Sequence, residues 1–288
     1  GEGGTTSAPY SSGQNNTALG YRALTAFTTG AANVAIGQNA FVSLTTANYG
    51  VAIGYEAAQG VTTANGVIAI GTAAARLVTE GADNIAIGQN TIRNITTDTS
   101  TVAIGAGAGY YMENVGATAR YNTYVGTSAG NKSYKGVSQT YIGARAGQHA
   151  TGSYNTFIGE QAGYGGTTSA PYSSGQYNVA VGTYAFDAFT TAGESTVIGY
   201  HAGSVVTTGI RNVLVGAYSG DALTTGARNV AIGSNTLGAA TTADINIAIG
   251  QSAMEGAAAS VAFTNMIAIG KDTLTAVTST DADGTIAI

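Results

Sequence analysis

The chain has no cysteine, and only 9% of its 288 residues are charged. Without cysteine neither a disulfide framework nor a thiolate metal site can form, so stability has to come from packing and backbone pairing. Ten Lys and Arg, scattered from Arg22 to Lys271 under a net charge of -5, leave no electrostatic footprint for phosphates. Nucleic acid is therefore not an expected partner. No apolar run reaches the ~18 residues needed to span a bilayer, and no basic-then-apolar leader opens the chain. The first residue is Gly1 rather than Met, which reads as a processed chain or an excised piece. What the sequence has in abundance is glycine, 43 residues of it, and repetition.

Residues 33–54, NVAIGQNAFVSLTTANYGVAIG, show the repeat, with VAIG returning after 17 residues. Taking the glycine that ends each VAIG-like motif as a marker gives fifteen positions from Gly20 to Gly270. Ten of the fourteen intervals between them are 17 residues, and the others are 21, 16, 23 and 20. That period is too short for a helix pair and predicts one turn of an all-β parallel solenoid, or β-roll. About sixteen turns form a single continuous solenoid over residues 1–288 on this reading, within which residues 110–164 are an irregular, tyrosine-rich zone.

Within each turn, the position three before the marker is always β-branched (Val34, Val51, Ile68, Thr123) and the position one before is always Leu, Ile or Val. Alternation with a period of two predicts a strand with one apolar face toward the roll interior. A second short strand is predicted around the apolar residue seven after the marker, as at Phe27, Leu44, Val61 and Val78. Glycine closes the first strand at a corner of positive φ, and Asn just before the strand (Asn33, Asn84, Asn212, Asn229, Asn246) is expected to take the same region.

The middle residue of the strand then points away from the interior, yet it is never charged. It is Ala35, Ala52, Ala69, Ala86 and Ala103 in regular turns, and Tyr124, Tyr141, Phe157 or Leu214 elsewhere. A strand apolar on both faces is covered on both faces. These nine residues are accordingly the expected packing surface between copies of the chain.

In register, NVAIG followed by two residues and Ala resembles the head repeat of trimeric autotransporter adhesins of the YadA type. The variants NTFIGEQAGYGG (155–166) and NTALGYRAL (16–24) are similar to repeats of phage tail fibres. The resemblance covers essentially the whole chain. It implies a left-handed parallel β-roll assembled as a homotrimer, serving as a surface-exposed fibre or adhesin segment on a cell or virion, with a host-surface receptor or glycan as partner. No membrane anchor, heptad stalk or C-terminal chaperone is recognisable in the residues. The ends suggest a filament as well, since Ile288 joined to Gly1 regenerates the motif TIAI-GE, and GGTTSAPYSSGQ at 3–14 recurs at 165–176.

Candidate chemistry is sparse, and neither catalysis nor a cofactor is expected. His149 and His201 occupy different places in their turns and have no partner motif. GAGAG at 105–109 lacks the ending of a phosphate loop, and Asp244, Asp272, Asp281 and Asp283 match no calcium-loop pattern. Adjacent Thr pairs eight and nine after the marker, such as 28–29, 45–46, 190–191 and 207–208, predict Thr ladders. Paired ladders on a flat face are the mark of an ice-binding solenoid, the alternative function. Neighbours along a strand point to opposite faces, however, so one Thr of each pair is expected outside. Asn15, Asn94 and Asn131 lie in glycosylation sequons. The zone 110–164 holds eight of the seventeen tyrosines, and reads either as a wider aromatic core between chains or as a receptor or glycan contact.

Overall fold

The computed structural model describes residues 11–112, 120–166, 172–256, 263–276 and 283–288. The chain is an all-β parallel solenoid of about sixteen turns, with no helix among the described residues. It divides into two compact units, Gly1–Gln139 and Thr140–Ile288, so the boundary falls inside the tyrosine-rich zone. The first unit carries β1 (Thr17–Leu19), β2 (Val34–Ile36), β3 (Val51–Ile53), β4 (Ile68–Ile70), β5 (Ile85–Ile87), β6 (Val102–Ile104) and β7 (Thr123–Val125). The second carries β8 (Thr140–Ile142), β9 (Thr156–Ile158), β10 (Val179–Val181), β11 (Thr196–Ile198), β12 (Val213–Val215), β13 (Val230–Ile232), β14 (Ile247–Ile249), β15 (Ile267–Ile269) and β16 (Ile286–Ala287). Within each unit every strand pairs in parallel with the next in sequence, in the register the repeat dictates, as in Val34↔Val51, Ala35↔Ala52 and Ile36↔Ile53.

Each turn contains one short strand, three residues long in β1 to β15 and two in β16. The predicted second strand does not form as one: the segment seven to nine residues after the marker is a bend held by a narrower ladder. Thr28 N–H donates to the Thr45 carbonyl, Thr45 to Thr62 and Thr62 to Thr79. The hydroxyl of the same Thr donates to the same carbonyl, at 3.1, 3.1 and 3.2 Å in those three turns, and Thr190, Thr207 and Thr224 repeat the arrangement. The marker glycines do turn the corner. Gly37 has φ +124°, a region essentially closed to other residues, and a Cβ there would lie 2.5 Å from the Gly54 carbonyl oxygen one turn on.

The Asn residues before the strands serve a different purpose from the one expected. Positive φ belongs to the preceding residue, as at Ala32 (58°), Asp83 (56°), Arg211 (61°) and Arg228 (59°). The Asn itself is buried, and its side chain knits successive turns. Asn229 Oδ1 accepts the Asn246 N–H at 3.1 Å, while its Nδ2 donates to the Ala243 carbonyl at 2.7 Å. The chain of such bonds runs through Asn155, Asn178, Ser195, Asn212, Asn229 and Asn246 to the Met266 N–H. Buried amides are tolerated here because both ends find partners.

The facing of the strand residues is the reverse of the expectation. Ala35, Ala52, Ala69, Ala86, Ala103, Tyr124, Tyr141, Phe157 and Leu214 are all completely buried within the chain's own turns. Side chains with no accessible surface cannot form a contact face for another copy. The residues on either side of them, Val34 and Ile36 in β2 for example, are the ones that point outward. Both faces of the strand are apolar, so alternation alone cannot say which is inside. The decisive fact is the narrow cross-section of the turn, which buries the middle strand residue completely whether it is Ala or an aromatic ring.

Complementary filling is visible in several turns. Ala35, Ala86 and Ala180 share their turns with Phe41, Ile92 and Phe186, four residues after the marker and fully buried. Tyr124, Tyr141 and Phe157 share theirs with Gly130, Gly147 and Gly163, where a Cβ would lie 2.6, 2.4 and 2.4 Å from the respective ring. The ring therefore occupies the volume that the facing side chain fills elsewhere, and the turn keeps its packing density. Tyr141 stacks on Phe157 with centroids 5.0 Å apart, and Phe157 meets Phe189 edge-on at 5.5 Å. Of the two readings of zone 110–164, the aromatic core between chains gives way to an aromatic core within one chain.

Candidate interaction surfaces

The outward strand residues make the most extensive surface feature of each unit. In the first unit they are Thr17, Leu19, Val34, Ile36, Val51, Ile53, Ile68, Ile70, Ile85, Ile87, Val102, Ile104, Thr123 and Val125, two per turn and none charged. The second unit continues the pattern with Thr or β-branched aliphatic residues throughout. Part of the stripe stays open to solvent: Ile104 is 38% exposed, Ile198 38% and Ile232 39%. Tyrosines border this stripe on both sides. Tyr21, Tyr55 and Tyr200 follow the marker glycine directly, while Tyr49, Tyr121, Tyr154 and Tyr177 precede the strand by two residues, and all seven are exposed. The Tyr154 and Tyr177 rings stack at 5.0 Å.

The remaining candidates separate into structural and superficial roles. The first Thr of each pair is half-buried and bonded to the neighbouring turn, and the second is exposed at Thr29, Thr46, Thr63, Thr191, Thr208, Thr225 and Thr242. One exposed Thr column results, where a flat ice-binding array calls for two. His149 is buried, with Nε2 3.1 Å from the Tyr164 hydroxyl and its ring stacked near Tyr172. His201 sits between Tyr184 and Tyr218 in a ladder of rings 4.8 and 5.7 Å apart, crossed by Tyr200 at nearly a right angle.

Asp187 and Asp221 flank this ladder, and their carboxyls are raised above the ordinary carboxylate range. Burial is the main cause at both, and the Asp187 value reaches about 6 although His201 opposes the shift. Asp244 accepts the Ala227 N–H and Asp283 the Thr264 N–H, which makes them fasteners between turns. Asp272 lies 3.8 Å from Lys271, and Asp281 falls outside the described residues. Among the described residues no three His, Cys, Asp or Glu converge on a metal position. Gly105 of the GAGAG run is a corner glycine with φ +124°. Of the sequon residues, Asn131 is engaged, its Nδ2 donating to the Gly107 carbonyl at 2.8 Å.

One polar cluster escaped sequence reasoning altogether. Asp98 and Arg120 form a fully buried ion pair at 2.6 Å, and Arg120 also donates to the Tyr134 and Gly136 carbonyls. Burial raises the Asp98 carboxyl despite the adjacent guanidinium. Nearby, the hydroxyls of Tyr124 and Ser133 both donate to Gln139 Oε1. The pair brackets residues 113–119, where the marker interval lengthens to 21, so that interval was its one sequence signal.

No helix among the described residues is long and apolar enough to cross a membrane. Compared with known protein families and with curated proteins, the chain matches none.

Proposed function

We propose that the chain is a structural, non-catalytic segment of a fibre or filament exposed outside a cell or on a virion. Copies associate along their outward strand faces, as the homotrimer of left-handed rolls that the resemblance to YadA-type heads and tail-fibre repeats implies, with end-to-end stacking adding length. The observation that carries this reading is the uncharged outward stripe of Val and Ile, with Thr or Leu in some turns. A parallel sheet with an apolar outer face calls for a covering layer, and a contiguous apolar patch of this kind marks an association surface. The bordering tyrosines suit the rim of such an interface, with an apolar body and a polar tip. Adhesion to a host-surface receptor or glycan fits the same placement.

Light scattering of the purified chain, paired with negative-stain imaging, tests the proposal. Trimers or filaments are expected, and Ile70→Lys combined with Ile104→Lys should return the protein to monomers with an unchanged circular dichroism spectrum. Both positions are outward, so the core is untouched. A well-folded native monomer would overturn the reading, and thermal hysteresis in that monomer would establish the ice-binding alternative.

A further inference from the structure

A cleft of about 610 Å³ opens on the first unit, lined by Arg22, Asn39, Gln59 and Arg76 with Val42 and Leu77 among its apolar walls. Three of its lining residues, each six after a marker glycine, are small: Ala26, Ser43 and Gly60. Arg22 is exposed and makes no hydrogen bond or ion pair among the described residues. Arg76 is held differently. Its Nε is fixed by Gln59 Oε1 and Glu56 Oε2, both at 2.9 Å, while neither Nη has a hydrogen-bond partner among the described residues. A guanidinium oriented through Nε with its outer fork open is prepared for bidentate contact with an oxyanion. Asn39 adds an unsatisfied group, since its Oδ1 is buried without a partner and accepts where a hydroxyl could donate.

We infer that this cleft binds a short carboxylated oligosaccharide. Arg22 and Arg76 belong to turns three apart, roughly 14 Å at the usual strand spacing. That separation suits two carboxylates along one oligomer better than a single small anion. Between them lie uncharged hydrogen-bonding groups, Asn39, Ser43 and Gln59, matched to a ligand rich in hydroxyls. Val42 and Leu77 offer apolar surface to the C–H face of a sugar ring. The assignment is independent of self-association, because the cleft lies within one chain.

Trigalacturonic acid is the test probe, with maltotriose, tri-aspartate and inorganic phosphate as controls, followed by NMR or calorimetry on the full chain. Trigalacturonate should bind at least about tenfold more tightly than each control. Arg22→Ala should weaken it about tenfold, the scale of one charge-assisted hydrogen-bond pair. Arg76→Lys should weaken it although the charge is kept, because the fork is lost. Because Arg22 is exposed and unpaired, its variant folds normally and keeps the test decisive. Equal binding of maltotriose, tri-aspartate or phosphate would overturn the saccharide assignment, and undiminished binding by the Arg22 variant would overturn the location.

Discussion

Turns cored by alanine and turns cored by an aromatic ring fill the same cross-section in opposite ways. In the turn of Ala35 the bulk comes from Phe41 across the turn, and in the turn of Phe157 it comes from the strand while Gly163 stands opposite. The two solutions teach that bulk can be supplied from either of two facing positions, as Ala231 with Leu237 or Leu214 with Gly220 also show, whereas Ala52 with Ala58 and Ala69 with Ala75 leave both positions small. The aromatic turns of Tyr124, Tyr141 and Phe157, aberrant in the strand column, are matched by glycine in the facing column.

The most damaging way to break this comparison is to change one member of a pair. Phe157→Ala should cost about 3–5 kcal/mol in denaturant unfolding, the usual range for emptying an aromatic core site. Gly163→Leu alone should also destabilise, because the new side chain meets the ring and must hold φ near +54°. The double variant recreates an alanine-cored turn, and its loss should fall below the sum of the single losses by about 1 kcal/mol or more. Strict additivity would refute volume exchange.

Next in size is the buried amide ladder. Asn229→Ala leaves the Asn246 N–H and the Ala243 carbonyl without their partners and should cost about 2–3 kcal/mol. Asn229→Ser should cost less, because Ser195 already accepts the next turn's N–H through its hydroxyl at 3.1 Å.

A smaller effect distinguishes the acidic face of the second unit. Asp187 titrates near 6 when folded against 3.8 as its ordinary value, so burial favours its protonated form in the native state. Below the lower value both states are protonated and no penalty exists. The penalty grows as pH rises between the two values and is constant above the upper one. Asp187→Asn should therefore flatten the decline of Tm between pH 4 and pH 6, with its largest gain at pH 7.

The smallest effect concerns the corners. Ala32 has φ 58°, so Ala32→Gly relieves strain while adding chain entropy to the unfolded state, and stability should change by no more than about 0.5 kcal/mol.

Much of this architecture was legible from residue spacing: the strand positions, the corner glycines, the parallel register and the single exposed Thr. The facing of the strand was not, because Val-Ala-Ile is apolar on both sides and small residues suit a tight interchain axis as well as a narrow core. Gly130, Gly147 and Gly163 held the missing information, since each stands opposite a ring. The role of Asn33 and its equivalents was hidden for another reason: Asn is common both in left-handed corners and as a buried hydrogen-bonding group, and only geometry distinguishes the two. The cleft of Arg22 and Arg76 was invisible because its lining comes from four separate turns.

A chain assembled from near-copies faces a counting problem as it folds. If one turn were looped out, the next could stack in its place, and across β2 to β6 each Val-Ala-Ile or Ile-Ala-Ile would meet a neighbour almost indistinguishable from its proper one. The mistake becomes costly only where successive turns differ, as where the Tyr124 ring occupies the space beside Gly109 of the turn before it, or where Tyr141 expects Phe157. The aromatic turns thus act as milestones that tell the folding chain how many turns have been laid down.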